Sequence, residues 1–402
     1  MKFGLFFEIQ VPKPWDPDSE VRAFHEAIEQ AVLADRLGYD VIWAAEHHFL
    51  EEYSHDPAPE IFLAAVAART NQIRIGHGIK HLTTNHPWRI AEQVATLDII
   101  SRGRVEFGMG EGSNTTELHP FDVRFREKRE VFEDAVRALM PAFWNTSWAY
   151  TGTHFNLPER NLIPKPIQKP HPPLWVACSQ AETIRMAGRW GMGALGFAFV
   201  DPDAARAWVH AYYNAFLNAP LPLESYVRNP NLACSYYFSC GPTDEIAIER
   251  ADGATFFEFS LGKYQKDGPF AAGQTSFWTD YEEWRATDKA KQKQANLART
   301  MVIGSPATLR ERIKEIRDTH IDQIVLIAQT GRTPHQDIMD SIELFGTEVM
   351  PEFQGDSEHE AWKQKVLDRE NVLDDIDTTG QNTLLAVDQA VRPETKAFAQ
   401  NL

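Results

Sequence analysis

Short apolar runs alternate with helical sequence along most of this chain, and that alternation limits the fold more than any other feature. Lys2-Phe3-Gly4-Leu5-Phe6-Phe7 is a bulky apolar run suited to a strand buried on both faces. Val21, Phe24, Ile28, Ala31, Val32 and Leu37 then recur at helical spacing, and Gly38 is placed to end that helix. Val41-Ile42-Trp43-Ala44 follows at once as a second strand. A strand, a helix and a strand in close succession form a βαβ unit, which builds parallel sheet. The rhythm predicts further strands over Ile73 to Lys80, Arg104 to Gly108, Leu174 to Ala177, Ala194 to Phe199, Ala233 to Phe238 and Ile324 to Ala328. Helices are predicted over Ile61 to Ala68, Ile90 to Ile100, Glu127 to Phe143, Glu182 to Trp190, Ala204 to Phe216, Leu309 to Arg317 and Gln336 to Phe345. Eight strands, each followed by helical sequence, is the number that closes a (β/α)₈ barrel, so the expected class is α/β.

Three stretches break the rhythm. Trp148 to Pro173 is rich in proline and polar residues, with a small hairpin expected at Tyr150 to Phe155. Asp252 to Ala298 is long and aromatic-rich; read as a loop without regular structure, a segment of that size points to a functional lid. Gln354 to Leu402 lies beyond the last barrel helix. It is acid-rich and poor in large apolar residues, which predicts an appended tail that wraps a surface or partner chain or is partly disordered. The domain division is thus 1–353 for the barrel and 354–402 for the extension.

Composition narrows the partners. The 402 residues can bury a large core. A formal net charge of -17 repels phosphate backbones and anionic lipid, which argues against nucleic-acid and membrane partners. A phosphate-bearing cofactor is still allowed, since local backbone N–H groups can hold one phosphate. Cys178, Cys234 and Cys240 are odd in number and widely spaced, which fits neither a disulfide framework nor a zinc site. With no signal-peptide pattern over Met1 to Phe7 and no apolar run of membrane length, the expected compartment is the cytoplasm.

In a parallel barrel, chemistry gathers where the strands end. After the second strand come Glu46, His47 and His48. Two histidines beside a carboxylate can bind a polar ring edge or move a proton near neutral pH. Side chains of adjacent strand residues point to opposite faces, so His47 and His48 are poorly placed to share a metal ion. The residues alone also allow a purely structural pair. Gly76-His77-Gly78-Ile79-Lys80-His81 follows the third strand, and its glycines permit close approach of a flat ligand or simply tight packing. Gly108-Met109-Gly110-Glu111-Gly112-Ser113-Asn114 fails the G-x-G-x-x-G dinucleotide pattern at Ser113 and is read as a backbone platform for a ring system. Cys178, Ser179 and Thr183 lead the fifth strand into a helix. Ser179 is the expected N-cap; the first-turn N–H groups can hold a phosphate, with Ser179 and Thr183 adding hydroxyls. Plain capping explains the same residues, and Glu182 beside them counts against an anion. No nucleophile with an assigned base is evident, which points to a cofactor carrying the difficult chemistry.

Several of these segments resemble the bacterial luciferase-like flavin monooxygenases. They are Leu37 to Phe49, His86-Pro87 with Ala91-Glu92-Gln93 and Leu97-Asp98, Ser101 to Gly110, and Val302 to Pro306. The resemblance covers 1–353. It implies reduced FMN delivered by a separate NAD(P)H:flavin reductase, addition of O₂ to give a C4a-peroxyflavin, and oxidation of a small organic molecule, for which the chain's aromatic content suggests a largely apolar body. It implies His47 as the catalytic histidine with Glu46 beside it, a cis peptide at Gly78-Ile79, a phosphate site at Cys178 and Ser179, a mobile lid after the seventh strand, and a homodimer. In luciferase itself an arginine stands where this chain has Glu111, and a glutamate where it has Cys178. Those departures count against light emission and leave the phosphate contacts to be found. An F420-dependent dehydrogenase of the same superfamily is the alternative, disfavoured by the lack of arginines near Gly108 to Asn114. A non-catalytic flavin-binding protein is the second alternative.

Overall fold

A computed structural model describes residues 1–197, 202–218, 226–374 and 376. Eight strands form a closed parallel barrel: β1 Lys2–Phe7, β2 Val41–Ala44, β3 Arg74–His77, β4 Val105–Gly110, β5 Leu174–Cys178, β6 Gly193–Gly196, β7 Leu232–Cys240 and β8 Gln323–Ile327. Each pairs with its sequence neighbours. The ring closes where β8 meets β1, with Lys2 opposite Gln323. The strand expectations hold to within a few residues, since these runs are apolar on both faces and all but a few of their residues are buried. Part of the expected sixth strand, 198–199, lies outside the described residues.

Two indoles fill the barrel. Trp43 on β2 and Trp175 on β5 meet edge to face, 5.4 Å apart. Glycines admit them: a Cβ on Gly76 or Gly193 would lie 2.4 Å from the Trp43 or Trp175 ring. Burying one indole is worth roughly 5 kcal/mol of gross transfer free energy.

The segment after β7 corrects the expectation of an irregular loop. It folds into helices Asp244–Arg250, Asp252–Lys266, Phe277–Arg285 and Asp288–Thr300. Its aromatics have helical spacing: Phe256 packs tilted or edge-on against Trp278 and Tyr281, and Phe259 against Tyr281 and Trp284. Glu52, fully buried, ties this insertion to the loop after β2. Its carboxylate accepts the N–H groups of Phe277 (2.8 Å), Trp278 (3.0 Å) and Lys13 (3.0 Å). Bonds to a charged acceptor contribute about 1.5–3 kcal/mol each. Glu52→Gln is therefore expected to speed hydrogen exchange at the Phe277 and Trp278 amides by tenfold or more. Unchanged protection at those two amides would refute the tie.

The expected hairpin is wider than Tyr150 to Phe155, pairing Trp148–Thr151 with Asn156–Arg160. The extension beyond Phe353 begins with helix Ser357–Leu367, which seals the barrel floor. There Asp322 accepts bonds from Tyr213 Oη (2.9 Å) and Leu232 N (2.7 Å), and pairs with His359 Nε2 (3.0 Å) and Lys363 Nζ (2.9 Å). Trp362 stacks on His320 at 4.0 Å. The rest of the tail, 375 and 377–402, lies outside the described residues.

Candidate active site

At the C-terminal mouth of the barrel lies a cavity of about 330 Å³. Glu46, His47, Gly78, Ile79, Gly110, Glu111, Cys178, Ser179 and Thr183, drawn from four separate strand ends, all line it. The Gly78-Ile79 peptide is cis. The glycines keep one wall flat: a Cβ on Gly110 would lie 2.6 Å from Ile79 Cδ1, and one on Gly78 would lie 3.0 Å from the Phe6 ring. Leu261 and Tyr264 from the helical insertion cover one side.

His47 sits between two carboxylates. Its Nδ1 is 2.7 Å from Glu117 Oε1 and its Nε2 is 3.2 Å from Glu8 Oε2. Burial alone pushes an imidazole toward the neutral form, but Glu117 and Glu8 outweigh it and raise the pKa well above the ordinary value. The two carboxylates thus favour the protonated ring. Neighbouring His81 is the reverse case: burial lowers its pKa despite Glu117 and Glu46, and its Nδ1 has no hydrogen-bond partner.

Glu46 belongs to a second network. It pairs with His48 Nε2 (3.0 Å) and Lys80 Nζ (2.9 Å) and accepts from Asn85 Nδ2 (2.8 Å). Burial raises its pKa, but His48 and Lys80 more than offset this and hold it down to about 2. Glu46, His48 and His81, and likewise His47, His81 and Glu117, have potential ligand atoms within 4.8 Å of one another. His47 and His48 fall in different groups, as their alternation implies. In both groups the carboxylate is already engaged by N–H donors, which disfavours a dication.

Asp56 lies behind this network with Oδ2 unpartnered, and burial pushes its carboxyl up to about 7. A folded value above the unfolded one means ionisation opposes folding, by an amount that grows up to about pH 7. Asp56→Asn keeps an acceptor for Ala58 N. It is expected to raise the melting temperature at pH 8 more than at pH 4. Equal shifts at the two pH values would contradict this.

The opposite side of the cavity ends at the start of a helix, where several details differ from the sequence reading. Gln180, not Ser179, is the N-cap of helix Ala181–Arg189. Thr183 spends its hydroxyl proton on Gln180 O at 2.7 Å. The reason is a start one residue later than the hydroxyl pattern suggests, and it leaves the Ser179 hydroxyl unengaged by the cap. Glu182, feared as a repulsive neighbour, is exposed and pairs with Arg189 at 2.6 Å. Cys178 is a buried thiol pushed up to about 12. No arginine cluster is local to Gly108 to Asn114 in the sequence, yet the fold brings two cations to Glu111. Lys128 Nζ and Arg129 Nε, at the start of helix Lys128–Leu139, lie 3.2 and 3.0 Å from the Glu111 carboxylate.

Sequence reasoning missed Glu8, Lys80, His81, Glu117, Lys128 and Arg129 as site residues. Glu8 directly follows β1, so the rule of inspecting strand ends would have found it. Lys80 and His81 lay within a segment that had been singled out. Glu117 and the basic pair lie further along the chain, where no local pattern marks them.

A flat-walled cavity at a barrel mouth, ending at a helix N-terminus with cations beside it, has room for a flat ligand with an anionic tail. The chain belongs to the luciferase-like monooxygenase family, whose model matches residues 1–323. It is 30% identical over 192 residues to the oxygenase component of the flavin-dependent trigonelline monooxygenase of Acinetobacter baylyi, covering 46% of this chain and 51% of that one. It is 28% identical over 187 residues to an F420-dependent glucose-6-phosphate dehydrogenase of Microbacterium testaceum, covering 44% of this chain and 54% of that one. The chain thus spans about half the length of such curated relatives. In fold it is similar to the oxygenating constituent of 3,6-diketocamphane monooxygenase of Pseudomonas putida, solved in complex with FMN. That match has a TM-score of 0.68 and 20% identity, over 87% of this chain and 98% of that one.

Proposed function

We propose that the protein is the oxygenating component of a two-component flavin monooxygenase. It takes reduced FMN from a separate NAD(P)H:flavin reductase and uses O₂ to oxidise a small, largely apolar organic molecule. The observation that carries this reading is the cavity itself, a glycine-flattened wall running from Gly78-Ile79 and Gly110 to the cradle at Ser179. The relative named as an oxygenase component supports the two-component arrangement.

Reduced FMN, when bound, supplies the electrons that activate O₂ for transfer of one oxygen atom to the substrate. The chain's own residues do the rest. Gly78, Ile79 and Gly110 form the platform for the ring. Ser179, the first-turn N–H groups of helix Ala181–Arg189, Lys128 and Arg129 hold the phosphate. Glu117 holds His47 through Nδ1, and the proton on Nε2, 3.2 Å from Glu8 Oε2, is the one that can turn to hydrogen-bond or protonate a developing oxygen anion. Glu46 orients His48 and the Lys80-His81 backbone. Leu261 and Tyr264 exclude water.

Hydride transfer with reduced F420 is the second reading, favoured by Lys128 and Arg129, because a longer anionic tail needs basic groups. The test is anaerobic titration with each reduced cofactor, then admission of air. The proposal expects reduced FMN to bind in the micromolar range and its reoxidation to slow on the protein. Tight binding of reduced F420 alone favours the dehydrogenase. Flavin binding with reoxidation at the free rate and no product leaves a non-catalytic flavin protein.

Among the described residues no helix is long and apolar enough to cross a membrane. We place the protein in the cytoplasm, supported by three unpaired, buried cysteines. We also propose a homodimer, supported by exposed Ile61, Ile99 and Ile100 on the adjacent helices Pro59–Arg69 and Pro87–Ile100.

A further inference from the structure

The cavity is electrically polarised across the barrel. Strands β1 and β5 stand opposite each other in the closed ring. On the β5 side, Lys128 and Arg129 face one carboxylate, Glu111, so positive charge is in excess where a cofactor phosphate belongs. On the β1 side the balance reverses. One imidazole, His47, faces two carboxylates, Glu8 and Glu117, while Glu46 is matched by Lys80. A negative excess in a cavity wall attracts a cation.

Glu8 is where that excess is least satisfied. It is 1% exposed, lines the cavity and receives one hydroxyl, Tyr53 Oη on Oε1 at 3.3 Å. Its Oε2 lies at ion-pair distance from His47 Nε2, 3.2 Å, but off the direction of the N–H, so it accepts no directed hydrogen bond. A buried carboxylate oxygen short of donors is costly to leave so. The wall around it is aromatic. Tyr53 packs 5.3 Å from His47 and 6.4 Å from Tyr264, and Phe6 and Phe197 meet at 5.6 Å. Tyr53, Tyr264, Phe6 and Phe197 all line the cavity. Aromatic faces beside a carboxylate are the combination that binds an organic ammonium or other delocalised nitrogen cation.

We propose that the substrate is a small organic cation: a compact apolar body carrying a quaternary or protonated nitrogen, its charge against Glu8 and its faces on Tyr53 and Tyr264. This rests on the cavity being the substrate and cofactor site, and it assigns the charge of the molecule that enters. It also separates the ligands. The phosphate goes to the β5 side, the cation to the β1 side, and each is repelled from the other's place.

The test is calorimetric titration, without flavin and again with oxidised FMN, using benzyltrimethylammonium, its uncharged carbon isostere neopentylbenzene, and phenylacetate. The cation is expected to bind at least tenfold more tightly than the isostere, and the anion not at all. Glu8→Gln is expected to cost the cation at least tenfold in affinity and the isostere less than twofold, and Glu8→Asp to restore part of the loss. Should Glu8→Gln not fold, Tyr264→Leu is expected to weaken the cation about threefold and leave the isostere unchanged. Equal binding of cation and isostere by the wild type, or equal losses for both in the variants, overturns the proposal. Reduced-FMN binding is measured on the same samples. Cation selectivity without flavin binding would sink the flavin reading alone, and flavin binding without cation selectivity would sink this one alone.

Discussion

His47→Gln is expected to lower turnover by about 10²–10⁴-fold while the barrel stays folded. The variant removes the imidazolium but leaves the wall at Gly78-Ile79 and the cradle at Ser179 untouched. Reduced-FMN affinity is therefore expected to change by less than about threefold. The pH profile gives the sign. With its folded pKa raised by Glu117 and Glu8, the protonated ring persists to higher pH than an ordinary imidazole, so activity is expected to fall as pH rises through that raised value. The stabilisation from the Glu8-His47-Glu117 contacts is likewise complete below the unfolded pKa and lost as pH rises through the folded one. Glu117→Gln removes the nearer carboxylate, 2.7 Å away, and is expected to move the alkaline limb of kcat to lower pH. A limb that stays in place would remove His47 from the assignment. So would a His47→Gln enzyme with wild-type turnover.

The largest effect on stability is expected at the other end of the barrel. Asp322→Ala strips His359 and Lys363 of their partner and leaves Leu232 N and the Tyr213 hydroxyl unsatisfied. Breaking a buried pair from one side costs about 3–5 kcal/mol. A clear drop in the urea midpoint is the expected readout, with reduced-FMN affinity retained at low denaturant. Burial raises the Asp322 pKa, but Lys363 and His359 outweigh it and the net shift is downward. Its contribution is thus present above the unfolded value and fades as pH falls through the folded one. Truncation after Phe353 removes His359 and Lys363 and leaves buried Asp322 without a counter-ion, so it too is expected to lower the midpoint. A truncated protein with an unchanged midpoint would show that helix Ser357–Leu367 does not close the floor.

How much of this was legible in the sequence depended on how local each signal was. The barrel strands were, because a strand buried on both faces must be apolar at every position, as Val41-Ile42-Trp43-Ala44 is. The cavity wall was legible in part, because Gly78 and Gly110 stand at strand ends where a side chain would collide. The insertion was misread because attention to its aromatic content hid their period: Phe277, Tyr281 and Trp284 are spaced as one helical face. Hydroxyl residues favour the cap position, which points to Ser179, whereas the backbone angles put the cap at Gln180. Lys128 and Arg129 escaped because proximity to Glu111 is created by a loop and a helix start. The partnering of His47 by Glu8 and Glu117 was out of reach for the same reason: three segments meet only once the barrel closes.

The central claim is that reduced flavin lies along the wall formed by Gly78, Ile79 and Gly110, with its phosphate at Ser179 and Gln180. A crystal structure of the protein with FMN tests this most directly. The account predicts the ring against the Gly78-Ile79 peptide, His47 Nε2 toward the ring's reactive edge, and the phosphate within hydrogen-bond reach of Ser179 and Arg129. A phosphate bound elsewhere, or a ring outside the barrel mouth, would contradict it.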